Sequence, residues 1–167
     1  MKKNINKIIL GGAQISSIKY GLTNKLLLKK DELNRIIHFA KKNKINFIDT
    51  AKSYKNSEEI IGKFNRKFNI ITKIQTYSNN KNNSEKYIIN ALKDSSKKLK
   101  VKKLYAVLIH GVGKLSKSKL LKIINVLKKL QKQNKIKYIG ISIYDPKDLK
   151  VFWKDWKPDI IQVQYNI

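Results

Sequence analysis

Four side chains that could take part in proton transfer occur where apolar, strand-like runs of the sequence end. Asp49, Lys73 and His110 each come directly after such a run, and Tyr54 follows shortly after Asp49. An acid, a phenol, an amine and an imidazole held together can donate, accept and orient a proton. Because parallel strands of a barrel bring their carboxyl ends to one mouth, this placement predicts a proton-transfer site on such a barrel.

The elements that must position these residues alternate along the chain. Short apolar runs predict six strands, at Lys7–Leu10, Ile45–Ile48, Asn69–Thr72, Tyr105–Ile109, Tyr138–Ile141 and Ile160–Val163. Helical spacing of apolar residues predicts five helices between them, at Asp31–Asn43, Ser57–Phe64, Lys81–Lys100, Ser116–Gln133 and Lys147–Trp156. Asn56 or Ser57 is the expected N-cap of the second helix.

Strands that alternate with helices indicate an α/β protein with parallel strands, either a doubly wound sheet or a barrel. The turn after the first strand, Gly11-Gly12-Ala13-Gln14, lacks the G-x-G-x-x-G pattern of nucleotide-binding doubly wound sheets. The (β/α)8 TIM-barrel type is therefore favoured. Residues 1–167 are expected to form a single domain, with about six of the eight β/α units of such a barrel.

Each of the four residues also has a structural explanation. Asp49 could cap a loop, Tyr54 could simply pack, and Lys73 is one of many lysines, although isoleucines surround it. His110 could be a core histidine, and His38, inside the first helix, is the better example of one. Their joint occurrence at strand ends favours the functional interpretation of the set.

The net charge of +27 suggests a nucleic-acid partner, but the composition argues against one. Arg35 and Arg66 are the only arginines, and arginine is the side chain best suited to bidentate phosphate or base contacts. The lysines are spread over all polar faces, and residues 139–167 balance four lysines with four aspartates. We therefore interpret the charge as a solvated surface.

Cysteine content, histidine content and the length of apolar runs exclude several further classes of protein. The sequence has no cysteine and only two histidines, so no thiolate chemistry and no metal site are expected. No run approaches the roughly 20 apolar residues that span a membrane. The apolar segment Ile8–Leu10 is too short for a signal peptide, and a cytoplasmic location is expected.

Five segments resemble motifs of the aldo-keto reductase family and occur in that family's order. They are Phe47–Ala51 with Tyr54 and Asn56–Gly62, then Ile71–Lys73, Leu108–His110, Gly140–Ser142 and Gln162–Asn166. The resemblance runs from about Leu10 to the last residue, and it implies a (β/α)8 barrel that reduces a small-molecule aldehyde or ketone with hydride from NADPH, with NADH as an alternative.

The resemblance also implies a role for each of the four residues. Tyr54 would be the proton donor, and the ammonium group of Lys73 would make its phenol more acidic. Asp49 would pair with Lys73 and hold it in position. His110 would hydrogen-bond the substrate oxygen and orient it.

The cofactor would lie against five residues by the same resemblance. Asp49, Ser142 and Gln162 would contact its nicotinamide end, and Gly11 and Gly12 would allow the backbone to approach it closely.

Some positions depart from the family's pattern. Lys55 stands directly after Tyr54, where glycine is frequent, so that loop is expected to have a different shape. Ile143 follows Ser142 where asparagine is common, and no aspartate follows His110 at the usual short interval.

The largest departure is length, because a complete barrel of this type takes about 250 residues. The chain is expected to be the N-terminal part of a reductase, truncated before the phosphate-binding loops of strands seven and eight. A catalytically inactive remnant or a basic binding protein is the alternative. The sequence leaves the oligomeric state open.

Overall fold

The computed structural model of the protein describes residues 7–15, 28–64, 68–75 and 84–164. It contains six strands, β1 (Leu10–Gly11), β2 (Phe47–Asp49), β3 (Asn69–Gln75), β4 (Leu104–His110), β5 (Ile136–Ile143) and β6 (Ile160–Val163). It contains four α-helices, α1 (Lys30–Lys42), α2 (Ser57–Phe64), α3 (Glu85–Leu99) and α4 (Lys117–Lys132). Short 3-10 helices cover Ala13–Ile15, Val112–Lys114 and Pro146–Val151.

All six strands lie in one sheet in the order of the sequence, and every neighbouring pair is parallel. Helices alternate with the strands, so the connections are crossovers of the kind that parallel strands require. The sheet curls into a half-barrel. This architecture confirms the predicted incomplete (β/α)8 barrel.

The outer face of the sheet packs against the helices. Successive strand residues point to opposite faces, so alternate positions share an environment. The main hydrophobic core lies on the outer face and includes Ile70 and Ile74 of β3, Val107 and Ile109 of β4, and Ile141 of β5. This layer holds the strands at a fixed curvature, and that curvature decides which residues meet on the inner face.

The inner face carries the other half of each strand. A second, smaller cluster there contains Ile71, Ala106 and Leu108. Below it, Tyr105 contacts the edges of two aromatic neighbours, Phe47 and Tyr138, with ring centroids 5.1 Å apart in each case. These side chains fill the lower half of the interior, so the polar residues further along the strands lie at the open mouth.

Helix α2 packs closely against the end of α3 through Gly62. A side-chain carbon at Gly62 would overlap the carbonyl group of Lys98. Helix α3 begins with Ser84, whose hydroxyl accepts from the amide of Tyr87, and it ends at Lys100 in the left-handed conformation. The close approach of the two helices therefore depends on the absence of a side chain at one position.

Three expectations from the sequence are wrong. Strand β3 continues through Ile74 to Gln75, so Lys73 lies inside the strand and not after its end. In place of the fifth predicted helix, Lys147–Trp156, the structure has a 3-10 helix over Pro146–Val151, which ends at Phe152, where φ is −137°. His38 is exposed, since it lies on the solvent side of α1 beside the buried Ile37.

Smaller differences concern the element ends. The first strand is Leu10–Gly11, shorter and later than the predicted Lys7–Leu10. The amide of Ile60 donates to the carbonyl of Asn56, which places Asn56 at the N-cap and Ser57 inside α2. The first four residues of the predicted helix Lys81–Lys100 lie before α3, and its first three lie outside the described residues.

Candidate active site

The carboxyl ends of the strands surround a cavity of about 260 Å³. Every residue proposed for the site from the sequence lines this cavity, namely Gly11, Gly12, Asp49, Tyr54, Lys73, His110, Ser142 and Gln162. Cavities at this face of a β/α barrel are where such proteins bind ligands. The sequence-based set is therefore a real spatial cluster.

The strand register explains why these residues meet. His110 lies opposite Ser142, and Ser142 lies opposite Gln162, so three neighbouring strands present a polar row at the same height. Asp49 lies opposite Gly11 on the other side of the mouth. Because these residues occupy inward positions in the strand alternation, their side chains face the same space.

Lys73 and Asp49 form the strongest polar contact in the cavity. Lys73 Nζ donates to both carboxylate oxygens of Asp49, at 2.7 and 2.6 Å, and to the carbonyl oxygen of Thr50 at 3.1 Å. The lysine side chain is 5% exposed and the aspartate 19%. An ammonium group so deeply buried requires this compensation, and the pair fixes Nζ at the base of the cavity.

Tyr54 lies above this ion pair on the loop that joins β2 to α2. Its ring is half-buried, and Lys73 Nζ is 5.4 Å from the ring centroid. The Tyr54 amide donates to the Ala51 carbonyl, and the Tyr54 carbonyl accepts from the Ser57 amide. These two bonds make a compact turn that keeps the phenol beside the lysine.

The same loop is tied to its neighbours at Lys52. Its amide donates to the carbonyl of Lys73, and its side chain forms an ion pair of 2.5 Å with Asp94 of α3. The hydrogen bonds from Lys52 and Lys98 lower the pKa of Asp94 below its usual value. The loop is thus anchored on both sides of Tyr54.

Lys55, which directly follows Tyr54, has a positive φ of 41°. Glycine is the residue that adopts this conformation without steric cost. The backbone therefore takes at Lys55 a conformation that suits glycine, and the exposure of the lysine side chain does not remove the steric cost at its Cβ.

His110 is half-buried at the end of β4. Burial lowers its pKa, and the positive charges of Lys73 and Lys114 lower it further. Its Nε2 lies 3.4 Å from the hydroxyl of Tyr144, and the two rings are in edge contact at 5.4 Å. A lowered pKa keeps the imidazole neutral near neutral pH, which suits a group that hydrogen-bonds a ligand oxygen.

Tyr144 also lines the cavity, although no role is predicted for it from the sequence. It lies just beyond β5, which runs to Ile143, two residues past the predicted end. The sequence signal for it is a tyrosine two residues after Ser142, but only the register of β5 against β4 places Tyr144 over His110.

A buried polar network supports the cavity from behind. Ser57 Oγ donates to the carbonyl of Gly12 at 2.7 Å and lies 2.9 Å from Thr50 Oγ1. Thr72 Oγ1 donates to the carboxylate of Glu58 at 2.8 Å, and the whole Glu58 side chain is buried. Ser57 and Glu58 therefore connect the start of α2 to β3 and to the residues that follow β1 and β2, a role that their position at a helix start does not reveal.

One observation in particular indicates that the cavity fits the nicotinamide end of a cofactor. Gln162 Oε1 is buried and has no hydrogen-bond partner among the described residues. A buried acceptor without a donor is unfavourable, and the amide N–H groups of a carboxamide would satisfy it. Beside it, the buried Ser142 hydroxyl can donate or accept.

Gly11 and Gly12 differ in the space around them. A side-chain carbon at Gly11 would meet nothing within 4 Å, so the cavity is open there. At Gly12 the same carbon would lie 2.8 Å from the carbonyl oxygen of Asp49, and Ile61 and Ser57 are also close. Gly12 is therefore explained by packing, whereas Gly11 leaves space for a ligand.

Neither a candidate metal site nor a membrane-spanning helix occurs in the part of the chain that the structure describes. Over residues 7–15, 28–64, 68–75 and 84–164, no group of three histidine, aspartate or glutamate side chains could hold a metal ion. Over the same ranges, no helix has the length and apolar character needed to cross a membrane.

The fold and the cavity define a β/α-barrel protein with an aspartate, tyrosine, lysine and histidine at its strand ends. A model of the aldo/keto reductase family matches residues 7–167. The chain belongs to the aldo/keto reductase family. A search of curated protein sequences finds no match.

Several solved structures share the fold. PA4992 of Pseudomonas aeruginosa, assigned to the aldo-keto reductases, has a TM-score of 0.78 and 23% identity, over 95% of this chain and 63% of that one. The glycerol dehydrogenase AKR11B4 of Gluconobacter oxydans has a TM-score of 0.69 and 26% identity, over 93% and 50%. An aldo-keto reductase of Bombyx mori in complex with NADP has a TM-score of 0.70 and 19% identity, over 95% and 54%. The chain thus spans between 50% and 63% of the length of these relatives.

Proposed function

We propose that the chain provides the first six β/α units of an oxidoreductase that reduces small aldehydes or ketones with NADPH. The observation that carries this proposal is the buried Asp49–Lys73 ion pair directly beneath the ring of Tyr54, in a cavity that also contains His110. Family membership supports the reaction class. Two further units would complete the barrel and its cofactor site.

The residues of the cavity have complementary roles in this proposal. A carbonyl that is being reduced develops negative charge on its oxygen, which requires a proton donor and preorganised electrostatic support. Tyr54 gives its hydroxyl proton to that oxygen. Lys73 stabilises the phenolate that remains, and Asp49 keeps Lys73 charged and in place.

His110 positions the substrate. Its neutral imidazole donates a hydrogen bond to the carbonyl oxygen, because burial and the nearby lysines disfavour the protonated ring by lowering its pKa. The carbonyl is then held between His110 and Tyr54 with its carbon directed into the cavity. Both groups stabilise more charge in the transition state than in the bound substrate, which is the requirement for catalysis.

NADPH, when bound, supplies the hydride that reduces the carbonyl carbon. Gln162 would accept from the carboxamide N–H, Ser142 would hydrogen-bond the same group, and Asp49 would lie at the nicotinamide end. The open space at Gly11 would let the cofactor approach the protein backbone closely, and Gly12 packs against Asp49 next to it. The NADP complex of the Bombyx mori relative supports this choice of cofactor.

The test is NADPH oxidation with simple aldehydes by the chain extended through two further strand–helix units. Tyr54→Phe should lower kcat by roughly 100-fold to 10,000-fold, the usual contribution of a general acid. Tyr105→Phe is the matched control, because it removes a phenol from the inner face at the opposite end of the barrel, where Tyr105 contacts Phe47 and Tyr138.

An extended, folded protein whose turnover is the same with and without the Tyr54 hydroxyl would refute this mechanism. Absence of any cofactor binding, together with salt-sensitive binding to polyanions, would instead support the alternative of a basic binding protein.

A further inference from the structure

A cavity with a mainly apolar lining lies between α3 and α4, and no part of the proposed reaction uses it. It has a volume of about 350 Å³. We call it the α3/α4 cleft. Six apolar side chains form its floor, namely Ile89 and Leu92 of α3, Val126 and Leu130 of α4, and Leu104 and Ile136 at the starts of β4 and β5.

The cleft lies at the end of the barrel opposite to the active site. Leu104 and Ile136 are the first residues of their strands, whereas His110 and Ser142 lie at or near the last residues of the same strands. A ligand in the cleft would therefore not contact Tyr54 or Lys73. The inference does not depend on the proposed reductase function.

The floor is a preformed apolar surface. Leu104 and Ile136 are each 1% exposed, and Leu92 is 4% exposed, so the core holds the base of the floor in place. The apolar surface that a ligand can reach comes more from Ile89, which is half-buried, and from Leu130 and Val126, which are 9% and 6% exposed. A volume of about 350 Å³ is at the lower end of the roughly 300–1,000 Å³ typical of small-molecule pockets. The cleft therefore has the size of a small ligand and not of a protein segment.

The rim of the cleft is basic. Four lysines and one glutamate line it, namely Lys93, Lys102, Lys129, Lys135 and Glu85. Glu85 forms an ion pair of 2.9 Å with Lys129, which neutralises that lysine. Among the described residues, no acidic side chain forms an ion pair with the other three. An apolar floor beneath three uncompensated ammonium groups attracts a molecule that has an apolar body and a negative end.

We propose that the α3/α4 cleft binds one free aliphatic carboxylate, with its alkyl chain on the floor between the helices and its carboxylate at Lys93, Lys102 and Lys135. The alkyl chain gains by leaving water, and the carboxylate stays at the solvent-exposed rim, where its charge is not desolvated. A phosphate or sulfate alone would gain nothing from the floor, and a neutral hydrocarbon would gain nothing from the rim.

The experiment is isothermal titration calorimetry of the protein with decanoate below its micelle concentration. The expected result is saturable binding of one decanoate per chain. The neutral analogue decanol should bind at least about tenfold more weakly, since it keeps the apolar contact and loses the charge. Equal affinity for the two probes would overturn the assignment of the rim lysines.

Two variants test the floor. Val126→Phe places a larger ring in the cleft and should weaken decanoate binding by about tenfold or more. Ile89→Trp should also fill the cleft and weaken decanoate binding, from α3 and at a half-buried position that tolerates a larger side chain. Circular dichroism and thermal unfolding identify which of the two remains folded, and unchanged binding by a folded variant overturns the proposal.

The rim is tested by a double charge reversal with a matched control. Lys102→Glu with Lys135→Glu should weaken binding by about tenfold or more. Lys128→Glu with Lys132→Glu changes the net charge equally on exposed positions of α4 outside the cleft, and it should change the affinity less than about twofold. Equal losses in both pairs would show general attraction to a basic protein and overturn the proposal.

Vesicles of phosphatidylglycerol distinguish a free carboxylate from a lipid surface. A protein with a net charge of +27 will adsorb to them through its overall charge, and that adsorption should not change in Val126→Phe. Binding to vesicles without any binding of free decanoate would overturn the inference.

Discussion

Lys73 Nζ lies 2.7 and 2.6 Å from the two carboxylate oxygens of Asp49, and the pair joins adjacent strands at the base of the cavity. The lysine side chain is almost completely buried, whereas the aspartate retains some exposure. Because each charge compensates the other in a poorly solvated place, this contact connects the stability of the barrel with the chemistry proposed for it.

Asp49→Asn should destabilise the protein because it leaves the ammonium group of Lys73 buried without a counter-charge. Removal of one partner of a buried pair typically costs about 3–5 kcal/mol, and the partial exposure of Asp49 places the expected loss at about 3 kcal/mol. The measurement is the free energy of unfolding in urea.

Asp155→Asn is the matched control for that prediction. It breaks the ion pair with Lys117, whose side chain is 56% exposed, so the loss should be a small fraction of the Asp49 effect. Similar losses in the two variants would show that burial does not govern the Asp49–Lys73 contact.

Glu58→Gln should also destabilise the protein, by about 1 kcal/mol. The buried carboxylate of Glu58 accepts from Thr72 Oγ1, and hydrogen bonds to charged groups contribute more than those to neutral ones. Glu59→Gln changes the same chemistry one residue later on an exposed position that pairs with Lys63. A thermal unfolding midpoint that falls only for Glu58→Gln is the expected result, and equal midpoints would contradict it.

Gly62→Ala should separate α2 from α3. The added methyl group would overlap the Lys98 carbonyl, which is backbone and cannot move aside as a side chain can, so we expect a loss of about 3 kcal/mol or more. Gly11→Ala is the control, because its methyl group would meet nothing within 4 Å. Urea unfolding of both variants measures the difference, and a tolerated Gly62→Ala would refute the close packing.

The sequence predicts the strands well where burial alternates regularly. The bounds of β6, Ile160–Val163, agree with the structure residue for residue, whereas β3 is buried without alternation from Ile70 to Ile74 and runs three residues past its predicted end. Patterns of period two report which face a residue occupies, and the face is what brings distant residues into one cavity.

Contacts between distant elements could not be predicted in this way. The sequence places Glu58 in the first turn of α2, where an acidic residue is favourable, and gives no sign of its buried bond to Thr72, fourteen positions away. The segment after Pro146 has the spacing of a helix in Leu149, Phe152 and Trp156, yet the 3-10 helix there ends at Phe152. Tertiary packing decides both cases, and local spacing does not contain it.

Reduced nicotinamide mononucleotide should bind to the chain, because the residues proposed for the nicotinamide end lie within its six units. We expect shifts in the amide resonances of Ser142 and Gln162 in two-dimensional NMR spectra. Gln162→Leu should weaken this binding by about tenfold, since a buried acceptor is lost. Gln133→Leu, at an exposed position that does not line the strand-end cavity, should leave the affinity unchanged. Equal binding by both variants would contradict the role of Gln162.

His110 should titrate below the usual histidine pKa of 6.5, because burial and the charges of Lys73 and Lys114 oppose its protonation. The measurement is an NMR titration of the ring protons in a His38→Gln background, which leaves a single histidine. Lys114→Ala should raise the pKa of His110 toward 6.5, since it removes one positive charge on an exposed side chain. An unchanged titration curve would refute that contribution.

The same lowered pKa determines a dependence of stability on pH. Below pH 6.5 the unfolded chain binds a proton at His110, whereas the folded chain binds it only at a lower pH. The stability that His110 contributes is therefore fully present above pH 6.5 and is lost as the pH falls through the folded pKa. His110→Gln should remove this part of the slope when the free energy of unfolding is measured from pH 7.5 to about pH 5. His38→Gln serves as the control because its position on α1 is exposed, and a slope that persists in His110→Gln would assign the effect to other groups.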